Sequence, residues 1–225
     1  MFTKVSVLIP TRGRIERLQT LLASYERTSA GDNSELLFRV DDDDLETRNL
    51  LLGYGRCRMS VGPRSGGYGN MPSFFNELAV LASGDVLMCG NDDMIFQTNG
   101  WAALILETAN QYPDGLFDLG VSTHNEAHFP FSVVSRRAAE KMGFIWDPRI
   151  FWGDIFLRDV ISWFGRTVLL PHVRIDHDWA GFKPDQVYNE TMAAKAPIEG
   201  SASYWSSVHA PAVAEAVEKL KGLLA

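Results

Sequence analysis

The sequence predicts an α/β domain in which a mostly parallel sheet is flanked by helices. Two observations carry that prediction. Short apolar runs alternate with stretches of helical periodicity as far as Val121, the pattern of a mostly parallel sheet. Two of those runs also end in acidic clusters: Leu36–Val40 leads into Asp41-Asp42-Asp43-Asp44, and Val86–Gly90 leads into Asn91-Asp92-Asp93. Carboxylates at the carboxyl ends of strands stand where open α/β sheets bind ligands. One cluster can hold the base and ribose of a sugar nucleotide, the other a divalent cation on its diphosphate. The pairing suggests a nucleotide-sugar enzyme.

The elements follow in order. Val5–Ile9 reads as a strand stopped by Pro10, which cannot donate to a ladder. Leu18, Leu21, Leu22 and Tyr25 give a helix, Leu36–Val40 the second strand, and a short helix begins near Asp44. Cys57–Val61 is a third strand, and 62–70 a glycine-rich loop. Phe74, Phe75, Leu78, Ala79, Leu81 and Ala82 mark a helix that Gly84 would stop, before the strand Asp85–Gly90. Trp101, Leu104, Ile105 and Thr108 give another helix, and Leu116–Val121 another strand. Beyond it, Phe131–Ser135 reads as a strand, Arg136–Met142 as a helix closed by Gly143, and the Leu157–Phe164 stripe as a helix closed by Gly165. Val168–Leu170 is a short strand, 171–209 lacks periodicity, and 210–225 is a closing helix. A long irregular stretch of that kind is usually functional or mobile.

Length and composition narrow the function. The 225 residues fit one domain, and the 46% hydrophobic content suffices for a core. A formal charge of −7 gives no global basic field for nucleic acid or anionic lipid. Cys57 and Cys89 form no metal-ligand spacing; Cys89 lies in an apolar strand and reads as a buried thiol, which fits a reducing compartment. No run has the roughly 18 apolar residues of a membrane span, and Met1-Phe2-Thr3-Lys4 lacks a signal-peptide layout. The expected location is cytoplasmic, with no stable membrane insertion.

The order of the motifs resembles family-2 glycosyltransferases of the GT-A fold, a Rossmann-like sheet flanked by helices. Val5-Ser6-Val7-Leu8-Ile9-Pro10-Thr11-Arg12-Gly13-Arg14 is similar to that family's opening strand and loop, and Val40-Asp41-Asp42 to its second nucleotide-binding element. Asn76, then Ala82-Ser83-Gly84-Asp85-Val86-Leu87, then Asn91-Asp92-Asp93 resembles its helix, strand and DxD-type metal motif. Residues 135–144 resemble the segment before the acceptor site, and Gly153-Asp154-Ile155-Phe156-Leu157 the acidic motif that supplies a base. His177 falls where many members carry a metal-binding histidine. The resemblance spans roughly residues 4 to 178. The sequence departs from the family at Asn91, where aspartate is usual, at Gly153, where glutamate is common, and at Phe75, where a basic residue is frequent.

The resemblance implies one GT-A-like domain over residues 1–225: a nucleotide-sugar-binding half at 1–98, an acceptor and base half at 99–178, a candidate lid at 179–209 and a C-terminal helix at 210–225. Asp93 is the principal candidate ligand for Mn²⁺ or Mg²⁺, hard ions that take oxygen donors and substrate phosphates. Asn91 would add an amide oxygen or a water-mediated contact. His177 is the second candidate ligand, with His172 and His124 as competitors. Asp92 would bond ribose, Asp41 and Asp42 the uracil and ribose, while Asp43 and Asp44 cap the next helix or face water. Main-chain groups from Pro10 to Thr11 would edge the base, and Arg12 or Arg14 would pair the diphosphate. Asn76 is carried over as a donor-site residue. Arg64 and its neighbouring glycines offer a further phosphate contact.

Asp154 is the candidate general base, taking the proton of the acceptor hydroxyl as that oxygen attacks the anomeric carbon with inversion. The competing reading is a helix cap. Trp152 and Gly153 mark the acceptor side, with Trp179, Phe182, Tyr204 and Trp205 as further aromatic candidates. The expected activity is therefore metal-dependent transfer of a sugar from a UDP-sugar to a hydroxyl acceptor. That acceptor is a glycan, a small molecule, a protein or a modified DNA base. A non-catalytic nucleotide- or glycan-binding module of the same fold is the first alternative, and a sugar nucleotidyltransferase the second. The glycine-rich opening loop of the latter is missing from Pro10-Thr11-Arg12-Gly13-Arg14.

Overall fold

The computed structural model describes residues 1–29, 33–64, 67–123, 130–178, 186–198 and 201–224. Among them, eight strands form one sheet in the order β3-β2-β1-β4-β7-β6-β8-β5. The first half supplies β1 (Val5–Thr11), β2 (Ser34–Asp41), β3 (Arg58–Gly62), β4 (Val86–Cys89) and β5 (Met94–Phe96). The second supplies β6 (Asp118–Ser122), β7 (Val133–Ser135) and β8 (Thr167–His177). β1 runs parallel to β2 and β4, β2 to β3, and β6 to β8, while β7 is antiparallel to β4 and β6, and β5 to β8.

Strand side chains alternate between two helical layers, as a sheet covered on both faces requires. Val5, Val7 and Ile9 of β1 pack in one core with α1 (Ile15–Thr28), α2 (Leu45–Tyr54) and α4 (Trp101–Ala109). Leu8 and Leu37 join the opposite core with α3 (Met71–Leu81), α5 (Arg136–Met142), α6 (Gly153–Ser162) and α9 (Ala210–Lys221). A helix α7 (Gln186–Lys195), then α8 (Ala202–Tyr204) and a π turn (Trp205–His209), precede α9.

Most predicted elements are present, and the differences have physical causes. Pro10 does not end β1, which runs on to Thr11. Leu8 O accepts from Gly90 N, so Pro10, two residues on, turns its missing N–H toward the side where β4 has already ended. Gly84 is not the stop of α3, which caps at Ala82. A Cβ at Gly84 would lie 2.6 Å from Ser6 Oγ and 2.7 Å from Lys4 O, so glycine is there for close approach. The short strand expected at 168–170 is an eleven-residue strand, β8. Pro171, His172 and Val173 bulge between the pairings Val121↔Leu170 and Ser122↔Arg174, and β8 then continues against β5. A bulge accommodates proline without a ladder donor. The stretch 171–209 is thus structured over 171–177, 186–195 and 202–209. The candidate lid residues Trp179 and Phe182 lie outside the described residues.

The strand order reverses at β1, with β2 on one side and β4 on the other. A crevice opens at such a switch point, beyond the strands' carboxyl ends. Thr11, Asp41 and Asn91-Asp92-Asp93 stand at those ends.

Candidate functional site

A cavity of about 280 Å³ occupies that crevice. Its floor is made by Pro10, Thr11, Asp41, Asn91, Asp92 and Asp93, and His177 enters from the end of β8. Arg12, Arg14 and Arg17 line it from the loop after β1 and the start of α1. Trp152 and Phe151 border it ahead of α6, and Tyr188, Glu190, Met192 and Lys195 cover it from α7.

Every described motif carboxylate at the cavity meets an arginine. Asp92 accepts from Arg14 Nη1 at 3.0 Å on one oxygen and from Thr11 Oγ1 at 3.0 Å on the other. Asp93 Oδ2 accepts from Arg17 Nη1 at 3.3 Å. Asp41 accepts from Arg12 at 3.0 Å and from Arg39 at 3.4 Å. Asp92 and Asp93 are only 5% and 6% exposed, so water screens these pairs weakly. Burial raises the pKa of Asp92, while Arg14 opposes the rise.

Asp93 and His177 are set by one sheet register. Met94 pairs with His177 across β5 and β8, and Asp178 N donates to Asp93 O at 3.0 Å. Asp93 Oδ1 is buried and makes no hydrogen bond among the described residues, yet His177 Nε2 stands 3.1 Å from it. Two ligand atoms on adjacent corners of an octahedron with bonds of ~2.1 Å are about 3.0 Å apart. Asp93 and His177 therefore fit two ligands of a divalent ion. No cluster of three His, Cys, Asp or Glu side chains that could hold a metal occurs among the described residues. The shell would need water and phosphate oxygens to complete it. Asn91 lines the same cavity, and its carbonyl accepts from Met94 N to close the turn. Of the competing histidines, His172 is exposed on the bulge of β8 and His124 lies outside the described residues.

Other expected residues stand elsewhere. Asp42 is exposed; its main chain bonds Gly62 and Arg48, and it does not line the cavity. Asp43 pairs with Arg12, which lowers its pKa, and Asp44 caps α2 by accepting from Thr47 N. Asn76 is also away from the cavity. Its amide accepts from Ile145 N and Trp146 N and donates to Trp146 O, which fixes Trp146. Trp146 in turn stacks on Phe75 at 5.0 Å and lies over Gly153, where a Cβ would come within 2.1 Å of its ring. That contact explains the departure at Gly153: any side chain would displace Trp146. Asp154 does not cap α6, whose N-cap is Trp152. It is half-buried in the first turn, two residues past Trp152, and is not among the residues lining the cavity. Arg64 forms an ion pair with Glu190 of α7.

Trp152 stacks on Trp205 with centroids 5.5 Å apart and rings 9° from parallel, and Tyr204 Oη accepts from Phe151 N at 2.9 Å. The C-terminal aromatic residues thus brace the wall before α6. Sequence reasoning missed Arg17, Arg39, Phe74 and the α7 residues. Arg17 follows Arg14 by three residues on one helix, and Arg39 shares a strand face with Asp41, so spacing alone pointed to both. Arg39 lies 4.6 Å from the Phe74 centroid and donates to Glu77 and to Pro63 O at 3.0 Å.

No known family matches the sequence, and no curated protein matches it. Solved structures do match the fold. A mannosyltransferase, PcManGT from Pyrobaculum calidifontis in complex with GDP-Man and Mn2+, aligns over 100% of this chain and 76% of its own, with TM-score 0.65 and 12% identity. S. aureus TarS 1-349 in complex with UDP aligns over 98% of this chain and 81% of its own, with TM-score 0.61 and 12% identity. The chain has the fold of these glycosyltransferases. In that GT-A-like frame the sequence likeness is low, so the shared feature is the architecture, and chemistry rests on the site.

Proposed function

We propose that the protein transfers a sugar from a nucleoside diphosphate sugar, with UDP as the nucleotide, to a hydroxyl acceptor with inversion. One observation carries the reading: Asp41, Asp92, Asp93 and His177 share one cavity with Arg12, Arg14 and Arg17 at the switch point of the sheet. Acidic groups suited to a nucleoside and a divalent ion, beside arginines suited to a diphosphate, match a sugar-nucleotide donor. The glycosyltransferase fold supports it.

In this mechanism Asp41 and the main chain at Pro10 and Thr11 hold the base and ribose. The forks of Arg14 and Arg17 take the diphosphate. Asp93 and His177 would hold Mn²⁺ or Mg²⁺, which would neutralise charge on the departing diphosphate. Trp152 bounds the acceptor side, and Asp154, two residues on in the first turn of α6, is the candidate base for the acceptor's proton.

The test is a donor screen with purified protein and Mn²⁺, scored by released nucleotide and by ligand-linked thermal shift. We expect a UDP-sugar to stabilise the protein and to yield UDP. Asp93→Ala should abolish turnover, a loss of at least ~100-fold for a group that supports charge stabilisation. Nucleotide binding with neither transfer nor donor hydrolysis would assign a non-catalytic module instead. Formation of pyrophosphate would assign a nucleotidyltransferase.

A further inference from the structure

We propose that Arg14 and Arg17 act as built-in counter-charges that hold the divalent cation off Asp92 and Asp93 until the donor's diphosphate draws them away. The inference rests on the donor reading above and adds an order of assembly to it.

Two ion pairs among the described residues stand at the cation side of the cavity. Arg14 bonds Asp92 at 3.0 Å, and Arg17 bonds Asp93 at 3.3 Å. Two carboxylates against two guanidiniums cancel to first order. Both carboxylates are nearly fully buried, so the pairing is felt at low effective dielectric. A divalent ion approaching Asp93 Oδ1 therefore meets little net negative potential. The next arginine, Arg12, is committed to Asp41 and Asp43. Arg14 and Arg17 both line the cavity, three residues apart at the start of α1, so their forks can turn to a ligand in it.

A diphosphate supplies that ligand's charge. Guanidinium forks pair phosphate oxygens bidentately, and the transfer of Arg14 and Arg17 to phosphate leaves both carboxylates with their charge uncompensated. Asp93 and His177, with a phosphate oxygen, would then hold the cation. Linkage makes the effect reciprocal: whatever factor the nucleotide adds to cation affinity, the cation adds to nucleotide affinity.

The experiment titrates the full chain with Mn²⁺, alone and with UDP or GDP, and follows free Mn²⁺ by electron paramagnetic resonance. The expected result is Mn²⁺ affinity at least ~10-fold higher with nucleotide, and the same factor for nucleotide with Mn²⁺. Arg17→Gln should bind Mn²⁺ alone ~10-fold more tightly than the natural chain, with a smaller enhancement by nucleotide. Arg14→Gln should shift in the same direction. Arg17→Lys, which keeps the charge, should exclude Mn²⁺ as arginine does. Equal Mn²⁺ affinity with and without bound nucleotide overturns the inference alone. So does a folded Arg17→Gln chain that binds Mn²⁺ no better than the parent. If neither UDP nor GDP binds at any Mn²⁺ concentration, the donor reading falls and takes this inference with it.

Discussion

Asp118 is the most unusual single residue outside the cavity. It is 0% exposed on β6, its Oδ1 accepts from Val133 N at 3.3 Å, and its Oδ2 has no hydrogen-bond partner among the described residues. Burial pushes its pKa up to about 7, and the charge of Asp154 adds to the rise. An ordinary carboxyl titrates near 4, so the folded protein keeps a proton that the unfolded chain releases. The associated stability is complete below about pH 4 and is lost as the pH rises through about 7, a difference of roughly 4 kcal/mol. The melting temperature should therefore fall between pH 5 and pH 8, and Asp118→Asn should flatten that decline. Parallel melting profiles for the two proteins would refute the assignment. This carboxyl was not legible in the sequence, because its neutrality comes from three-dimensional burial. The place of Asp93 at the cavity was legible, since it lies in the turn that follows an apolar strand. Asn76 illustrates the converse: its motif position was legible, but its partners, Ile145 and Trp146, lie some seventy residues away.

At the scale of elements, helix α6 starts where it does because Gly153 lets the chain pass under Trp146. The indole is locked by its stack on Phe75 and by donation from Nε1 to Ile150 O at 2.8 Å, so it has little room to yield. Gly153→Ala should cost about 2 kcal/mol through overpacking, read as a lowered denaturation midpoint in urea. An unchanged midpoint would mean that Trp146 swings aside freely. The helices α1, α3, α4 and α6 were readable from apolar spacing because each buries one stripe against the sheet. Strand β8 was not, since Pro171 carries the local signature of a terminator. Only the partner strands β6 and β5 reveal it as the centre of a bulge. Helix α7 was equally silent, because its sequence, QVYNETMAAK, has no pronounced apolar face.

For the whole molecule, one sheet joins the two halves expected from the motifs. Strand β4 of the first half pairs with β7 of the second, and β5 pairs with β8, so a single sheet and two continuous cores cross the boundary. Unfolding should be one cooperative transition, with far-ultraviolet circular dichroism and tryptophan fluorescence coinciding on heating. Two separated transitions would contradict the shared sheet. The same cross-connection gives the three-residue bulge of β8 a role out of proportion to its size. Those residues set the phase in which the strand reaches β5, and a strand's side chains swap faces at every step. Loss of one residue there would present Asp178 to Asp93 in place of His177. A carboxylate would replace the imidazole beside Asp93, and the proposed cation pocket would turn into a site of mutual repulsion without any change in the residues of the motif itself.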